Sequence, residues 1–320
     1  MRVRTTAAAA IAAAFAITAA AVPAAAQTSF NRIVVFGTSL SDSGNAFALR
    51  GESNTPPDYL VDPFLVPSAP YARGGHHFSN GATWGEQFAQ SRGVAGSTRP
   101  ALLQPHSVAS NYAVGAARAY EDGVNFNLSA QVEAFLQESG GVAPAGALYA
   151  IEMGGNDIRD ALVAYASGDP AKASLILQGA NIAIASNIAT LYGAGARTFL
   201  LWRAPNVAVT PAIRSLGAGA VALGTGLTQG FNAGLDHVAS QLSQYPGIKI
   251  VRLDAYRLLN DLVARPAAFG LTDVTSACIT PGIAPFTCDS PDEFLFWDGI
   301  HPSKAVHAII AAEAAAALGR

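Results

Sequence analysis

The chain has 320 residues, 19 Lys plus Arg against 22 Asp plus Glu, and only 13% of it is charged. A near-neutral chain with scattered basic residues offers no field for a polyanion, which excludes nucleic acid as an expected partner. With 51% hydrophobic residues, and 31 Gly and 18 Pro spread along its length, it reads as a folded, turn-rich enzyme or binding protein, not a disordered or fibrous one.

The first element is an export leader. Arg2 and Arg4 precede an Ala-rich apolar run over 7–22, and Pro23 then leads into Ala24, Ala25 and Ala26. That is the order of a positive n-region, an apolar h-region and an A-x-A cleavage site. A membrane anchor would need roughly 20 strongly apolar residues, and the run is shorter and mostly Ala. No Cys near the cleavage site supports a lipoprotein anchor. The expected organisation is a signal peptide over 1–26 and one folded domain over 27–320. The mature protein is expected in the periplasm or the extracellular medium, and no later segment is expected to be long and apolar enough to span a bilayer.

Beyond the leader, short apolar runs alternate with helical stretches. Residues 33–36, 148–153, 198–202 and 248–253 read as strands, three of them ending at Gly or close to Pro. Residues 45–49, 130–136, 171–192, 231–242 and 305–318 read as helices. Alternation of this kind predicts α/β architecture, a mostly parallel central sheet covered on both faces. Two stretches fit neither template: 53–75, rich in Pro, Tyr and Phe, and 275–291, which carries three prolines and both cysteines. Long structureless insertions are commonly functional loops, and open parallel sheets bind ligands beyond the carboxyl ends of their strands. Both could wall a cleft.

The chemistry-bearing residues sit at those strand ends. The first strand runs into Gly37-Thr38-Ser39-Leu40-Ser41, a serine-bearing turn before a helix. A serine there can present its hydroxyl to a cleft and its N–H to developing negative charge, although Ser39 or Ser41 could equally cap the helix. Of the six His, only His301 has a suitably placed acid, Asp298, three residues earlier on a turn before the last helix. His76, His77, His106, His237 and His307 fit surface or packing roles. Asn156, in a Gly-Gly-Asn-Asp turn, offers an amide at the same sheet edge, and Gly115 would let backbone approach a ligand; each could be only a turn or a bend. Together they supply the parts of a serine esterase.

No P-loop, H-E-x-x-H or opening G-x-G-x-x-G occurs, so no cofactor is expected. Cys278 and Cys288 lack a second CxxC or paired His, which argues against a metal. In an exported chain they are expected to form a disulfide worth about 2–3 kcal/mol, with two buried free thiols as the alternative.

Four blocks in order, FGTSLSDSGN, NYAVGAARA, GGND and DGIHPS, make the chain resemble the SGNH, or GDSL, hydrolases. The similarity covers nearly all of the mature part. HHFSNGATWGEQFA, DAYRLLNDLVARPAAFGLTDVTSAC and FLFWDGIHPS are similar to the secreted lipase, acylhydrolase and lecithinase/haemolysin branch. The resemblance implies a three-layer α/β/α sandwich of flavodoxin-like kind. It also implies Ser39 as nucleophile, His301 as base, Asp298 as its orienter, and an oxyanion hole formed by Ser39, Asn156 and the Gly115–Ala116 segment.

Two positions depart from the family pattern. Thr38 stands where the family has Asp, a change expected to alter local hydrogen bonding more than activity. Ala116 stands at the oxyanion glycine; its N–H is expected to donate, with Gly115 absorbing any unusual dihedral. The function expected is hydrolysis of lipid or simple carboxylic esters through an acyl-serine, with transient contact to lipid surfaces. Phospholipase or acyltransferase action and carbohydrate deacetylation are the neighbouring alternatives, and a catalytically silent secreted binding protein is the alternative of another class. Tyr59, Leu60, Phe64, Leu65 and Tyr71 could line an acyl site or cover a core edge.

Overall fold

The computed structural model describes residues 30–62, 65–103 and 108–319. The signal-peptide expectation, Phe64 and His106 therefore lie outside the described residues. Four parallel strands form the main sheet in the order β1 (Arg32–Gly37), β2 (Ala147–Glu152), β3 (Thr198–Arg203) and β4 (Lys249–Asp254). Residues 110–114 run along the free edge of β1: Val35 N–H donates to Ser110 O at 2.9 Å, and Tyr112 N–H to Val35 O at 2.8 Å. With that segment in second place along the chain, the spatial order is the 2-1-3-4-5 arrangement of flavodoxin-like sheets.

Strand side chains alternate between two cores, as the two-residue period of a pleated strand requires. Val34, Phe36, Tyr149, Ile151, Phe199 and Leu201 face α3 (Leu128–Glu138), α5 (Pro170–Gly193) and α7 (Ala218–Leu242). Ile33, Val35, Leu148, Ala150, Leu200 and Trp202 face α2 (Trp84–Ser91), α8 (Ala255–Ala264) and α9 (Lys304–Ala317). The result is a sheet with helices on both sides. The remaining helices are α1 (Asn45–Arg50), α4 (Gly155–Ala166) and α6 (Pro211–Arg214), and a second, two-stranded parallel sheet pairs β5 (Asp273–Ala277) with β6 (Phe294–Phe296).

The predicted strands lie within a residue of the observed ones, and α7 starts well before the predicted 231. Helices α2, α4, α6 and α8 were not read from the sequence, though α2 and α8 carry visible start signals. Thr83 and Glu86 form a reciprocal capping box on α2, and the Asp254 side chain accepts from Arg257 N–H at 3.0 Å on α8. One expectation is corrected. By length and composition α5, with 24 residues, is apolar enough to cross a membrane. Its apolar character has a local cause: Ala180, Ile184, Ile188 and Leu191 are buried against the sheet, and the helix also packs on α4 and α7.

Candidate active site

The turn after β1 and the turn before α9 meet at the carboxyl edge of the sheet. His301 Nε2 lies 2.7 Å from Ser39 Oγ, and His301 Nδ1 lies 2.7 Å from Asp298 Oδ2. Ser39 is 9% exposed, His301 3% and Asp298 0%, so the relay is shielded from water except at the hydroxyl. Asp298 Oδ1 accepts from the N–H groups of Ile300 and His301, both at 2.8 Å, which fixes the carboxylate on its own turn.

Neither serine caps α1. The hydroxyl of Ser39 goes to His301 and that of Ser41 to Glu152, at 3.0 Å. Asp42 takes the helix N-terminus instead: it accepts from Gly44 and Asn45 through Oδ1, and from Ala46 and Gly115 through Oδ2. The fully buried Glu152 lies behind the Ser39 turn. It accepts from Thr38 N–H at 2.9 Å and from the Thr38 hydroxyl at 3.0 Å. Burial raises its pKa to about 7, against the lowering effect of these hydrogen bonds. Thr38 thus has a physical reason: its hydroxyl donates to a carboxylate that an Asp side chain would repel.

Asn156 sits in the first turn of α4, and its side-chain amide donates to Ala117 O at 2.8 Å. Gly154 before it has φ +112°, and a Cβ there would lie 2.4 Å from the Phe231 ring, so the turn presenting Asn156 needs glycine. The expectation for Gly115 is corrected on two counts. Its N–H already donates to Asp42 at 2.8 Å and is not free for a ligand. The left-handed dihedral falls on Ala116, at φ +70°, and not on Gly115. Gly115 is glycine for space: a Cβ would lie 2.2 Å from the Phe78 ring, which packs on His301 with centroids 5.4 Å apart. The Ala116 N–H has no acceptor among the described residues.

The two insertions brace the Asp298–His301 turn. Tyr71 donates its hydroxyl to Asp298 Oδ2 at 2.9 Å and packs edge-on against Tyr59 and Trp297. Gly299 N–H donates to Leu65 O at 2.8 Å. Tyr59 and Tyr71 therefore cover a small core, Leu60 is exposed, and neither they nor Leu65 line the apolar cavity beside Ser39. The Tyr71 role lay hidden in an aromatic-rich loop, and only its contact partner could reveal it. Cys278 and Cys288 form a disulfide with Cα atoms 4.9 Å apart. Its loop is tied to the same turn, since Cys278 N–H donates to Phe296 O at 3.1 Å and Ile279 N–H to Trp297 O at 3.0 Å.

An apolar cavity of about 110 Å³ opens beside the relay, touched by Ser39, Asn156 and His301. Its walls come mainly from Ile213, Leu258, Leu262, Phe296, Val306 and Ile310, residues of α6, α8, β6 and α9. The sequence reading assigned these only to helices or strands, because nothing in a local pattern tells which apolar positions line a void. Of the other histidines, His76 stacks on Phe47, His77 lies 2.9 Å from Glu86, and His307 Nδ1 accepts from Trp84 N–H. Among the described residues no cluster of His, Cys, Asp or Glu could hold a metal.

The chain is 27% identical to an Arabidopsis thaliana GDSL esterase/lipase over 87% of its own length and 89% of that protein. It is 26% identical to a second Arabidopsis GDSL esterase/lipase over 88% of its length and 80% of the relative. Among solved structures, it aligns with the extracellular lipase of Streptomyces rimosus at a TM-score of 0.40 and 13% identity, covering 91% of this chain and 100% of that one. A GDSL-like lipase structure from Parabacteroides merdae gives 0.47 and 11%, over 91% and 97%. The sequence model of the family described as GDSL-like Lipase/Acylhydrolase matches residues 33–314, from β1 through α9. Since that span takes in the main sheet but for Arg32, and every residue of the relay, the chain belongs to the GDSL-like lipase/acylhydrolase family and is a carboxylic ester hydrolase.

Proposed function

We propose that the protein hydrolyses short-chain carboxylic esters through an acyl-serine. The observation that carries this is the Ser39–His301–Asp298 relay, with 2.7 Å at each contact. His301 Nε2 accepts the Ser39 proton as Oγ attacks the ester carbonyl, and Asp298 Oδ2 accepts from Nδ1–H of the imidazolium. The developing oxyanion is held by the N–H groups of Ser39 and Ala116 and by the Asn156 amide, whose second hydrogen is not used on Ala117. Collapse expels the alcohol with the proton from His301. Water then attacks the acyl-serine with His301 again as base, which restores the free hydroxyl.

The acyl chain occupies the apolar cavity. At about 110 Å³ it is smaller than the roughly 150 Å³ engineered cavity that takes up benzene, which supports a short chain over a long one. Export is supported by the leader pattern and by a disulfide in a chain of only two cysteines. The folded part is read as one domain over 27–320.

Ser39→Ala is expected to abolish turnover of a p-nitrophenyl butyrate probe and labelling by a fluorophosphonate, with wild-type rates falling from butyrate to palmitate. Wild-type turnover by Ser39→Ala would refute the mechanism.

A further inference from the structure

Arg159 is the cation of the cavity wall. It lies three residues after Asn156 on α4, so the two side chains share a helix face, and both touch the cavity beside Ser39 and His301. Its guanidinium makes no hydrogen bond and no ion pair among the described residues, although it is half-buried. The adjacent carboxylate is already taken: Asp160 accepts from Arg118 at 2.8 and 3.1 Å and from the Tyr120 hydroxyl at 3.0 Å. Burial and the nearby positive charge of Arg118 both lower the Arg159 pKa, while Asp160 and Asp62 oppose them from beyond ion-pair distance. A half-buried cation that has given up part of its water and has no ion-pair partner within reach is relieved by an anion brought to it.

We infer that Arg159 binds an anionic group on the ester substrate, a phosphate or a carboxylate carried close to the scissile bond. This rests on the acyl-serine reading of the same site. With the acyl chain in the apolar part of the cavity, the guanidinium at its polar edge meets the part of the substrate nearest the ester. Guanidinium suits either oxyanion because its planar donors bind both in a two-pronged way. The enzyme then selects charged esters over neutral ones of equal chain length.

The test uses three butyryl esters on the full chain: of glycerol, of glycerol phosphate and of glyceric acid. The readout is kcat/KM for each anionic ester divided by that for the neutral one. Wild type is expected to favour at least one anionic ester by about tenfold, the scale of one charge-assisted contact, with the preference shrinking at high salt. Arg159→Gln should remove that preference, Arg159→Glu reverse it, and Arg159→Lys keep part of it. Preference for the phosphate alone, or the carboxylate alone, supports the assignment and identifies the group. Equal ratios in wild type and Arg159→Gln overturn it. If the variants do not fold, inhibition of wild-type butyrin hydrolysis decides: glycerol phosphate or glycerate must inhibit more strongly than glycerol, and equal inhibition overturns the assignment. Turnover that persists in Ser39→Ala would instead refute the acyl-serine reading.

Discussion

The two turns that make the candidate site are held in different ways. The Ser39 turn rests on buried carboxylates: Asp42 collects four backbone N–H groups, and Glu152 collects the backbone N–H and hydroxyl of Thr38 with the hydroxyl of Ser41. The Asp298–His301 turn rests on the two insertions, through the Tyr71 hydroxyl, the Leu65 carbonyl and the disulfide loop. One half of the site is therefore tied to protonation and the other to covalent closure. Acid or base should act on the first, and reductant on the second.

The largest expected effect sharpens the protonation side. Glu152 rises from 4.5 to about 7 in the folded protein, so the folded state holds its proton more tightly than the unfolded chain. Its contribution is most favourable below pH 4.5, declines as pH rises, and is lost above 7; the change is on the order of 3 kcal/mol. His307, pushed down to about 3 by burial, runs the opposite way between pH 3 and 6.5. The Glu152 share is thus read as a difference. Urea midpoints of wild type minus Glu152→Gln should fall between pH 4.5 and 7, and a difference independent of pH would break the comparison.

Next in size is the other turn. Cys278→Ser with Cys288→Ser should cost about 2–3 kcal/mol in denaturant unfolding and lower kcat more than it raises KM, because the loop backs the Asp298–His301 turn. The mildest effect is at Ala116. Its φ of +70° is a left-handed dihedral that costs a non-glycine residue about 1 kcal/mol, so Ala116→Gly should raise stability by that amount in the same assay. A loss of stability would show that the Ala methyl contributes packing that outweighs the strain.

Much of the fold could be read locally. Strands β1 to β4 are short apolar runs, the first three of which stop at or near the glycines or prolines of the loops, and α5 starts where Asp169 caps a helix with Pro170 in its first turn. The Ser39, Asn156, Asp298 and His301 blocks stand at strand or helix ends, where a sequence pattern can find them. Gly115 could not be read in this way. Its glycine reflects the Phe78 ring above it, and the unusual dihedral passed to the neighbouring Ala116. Nor could Tyr71, whose partner Asp298 is 227 residues away.

Local chemistry in the sequence determined the alternation of elements, the order of the blocks and the identity of the candidate reacting groups, because periodicity, caps and turns depend on near neighbours. Tertiary structure decided which hydroxyl meets the imidazole, that Thr38 serves Glu152, which apolar residues enclose a cavity and which arginine lacks a partner. Those outcomes depend on packing between segments far apart in the chain, and no local pattern encodes the distances that packing sets.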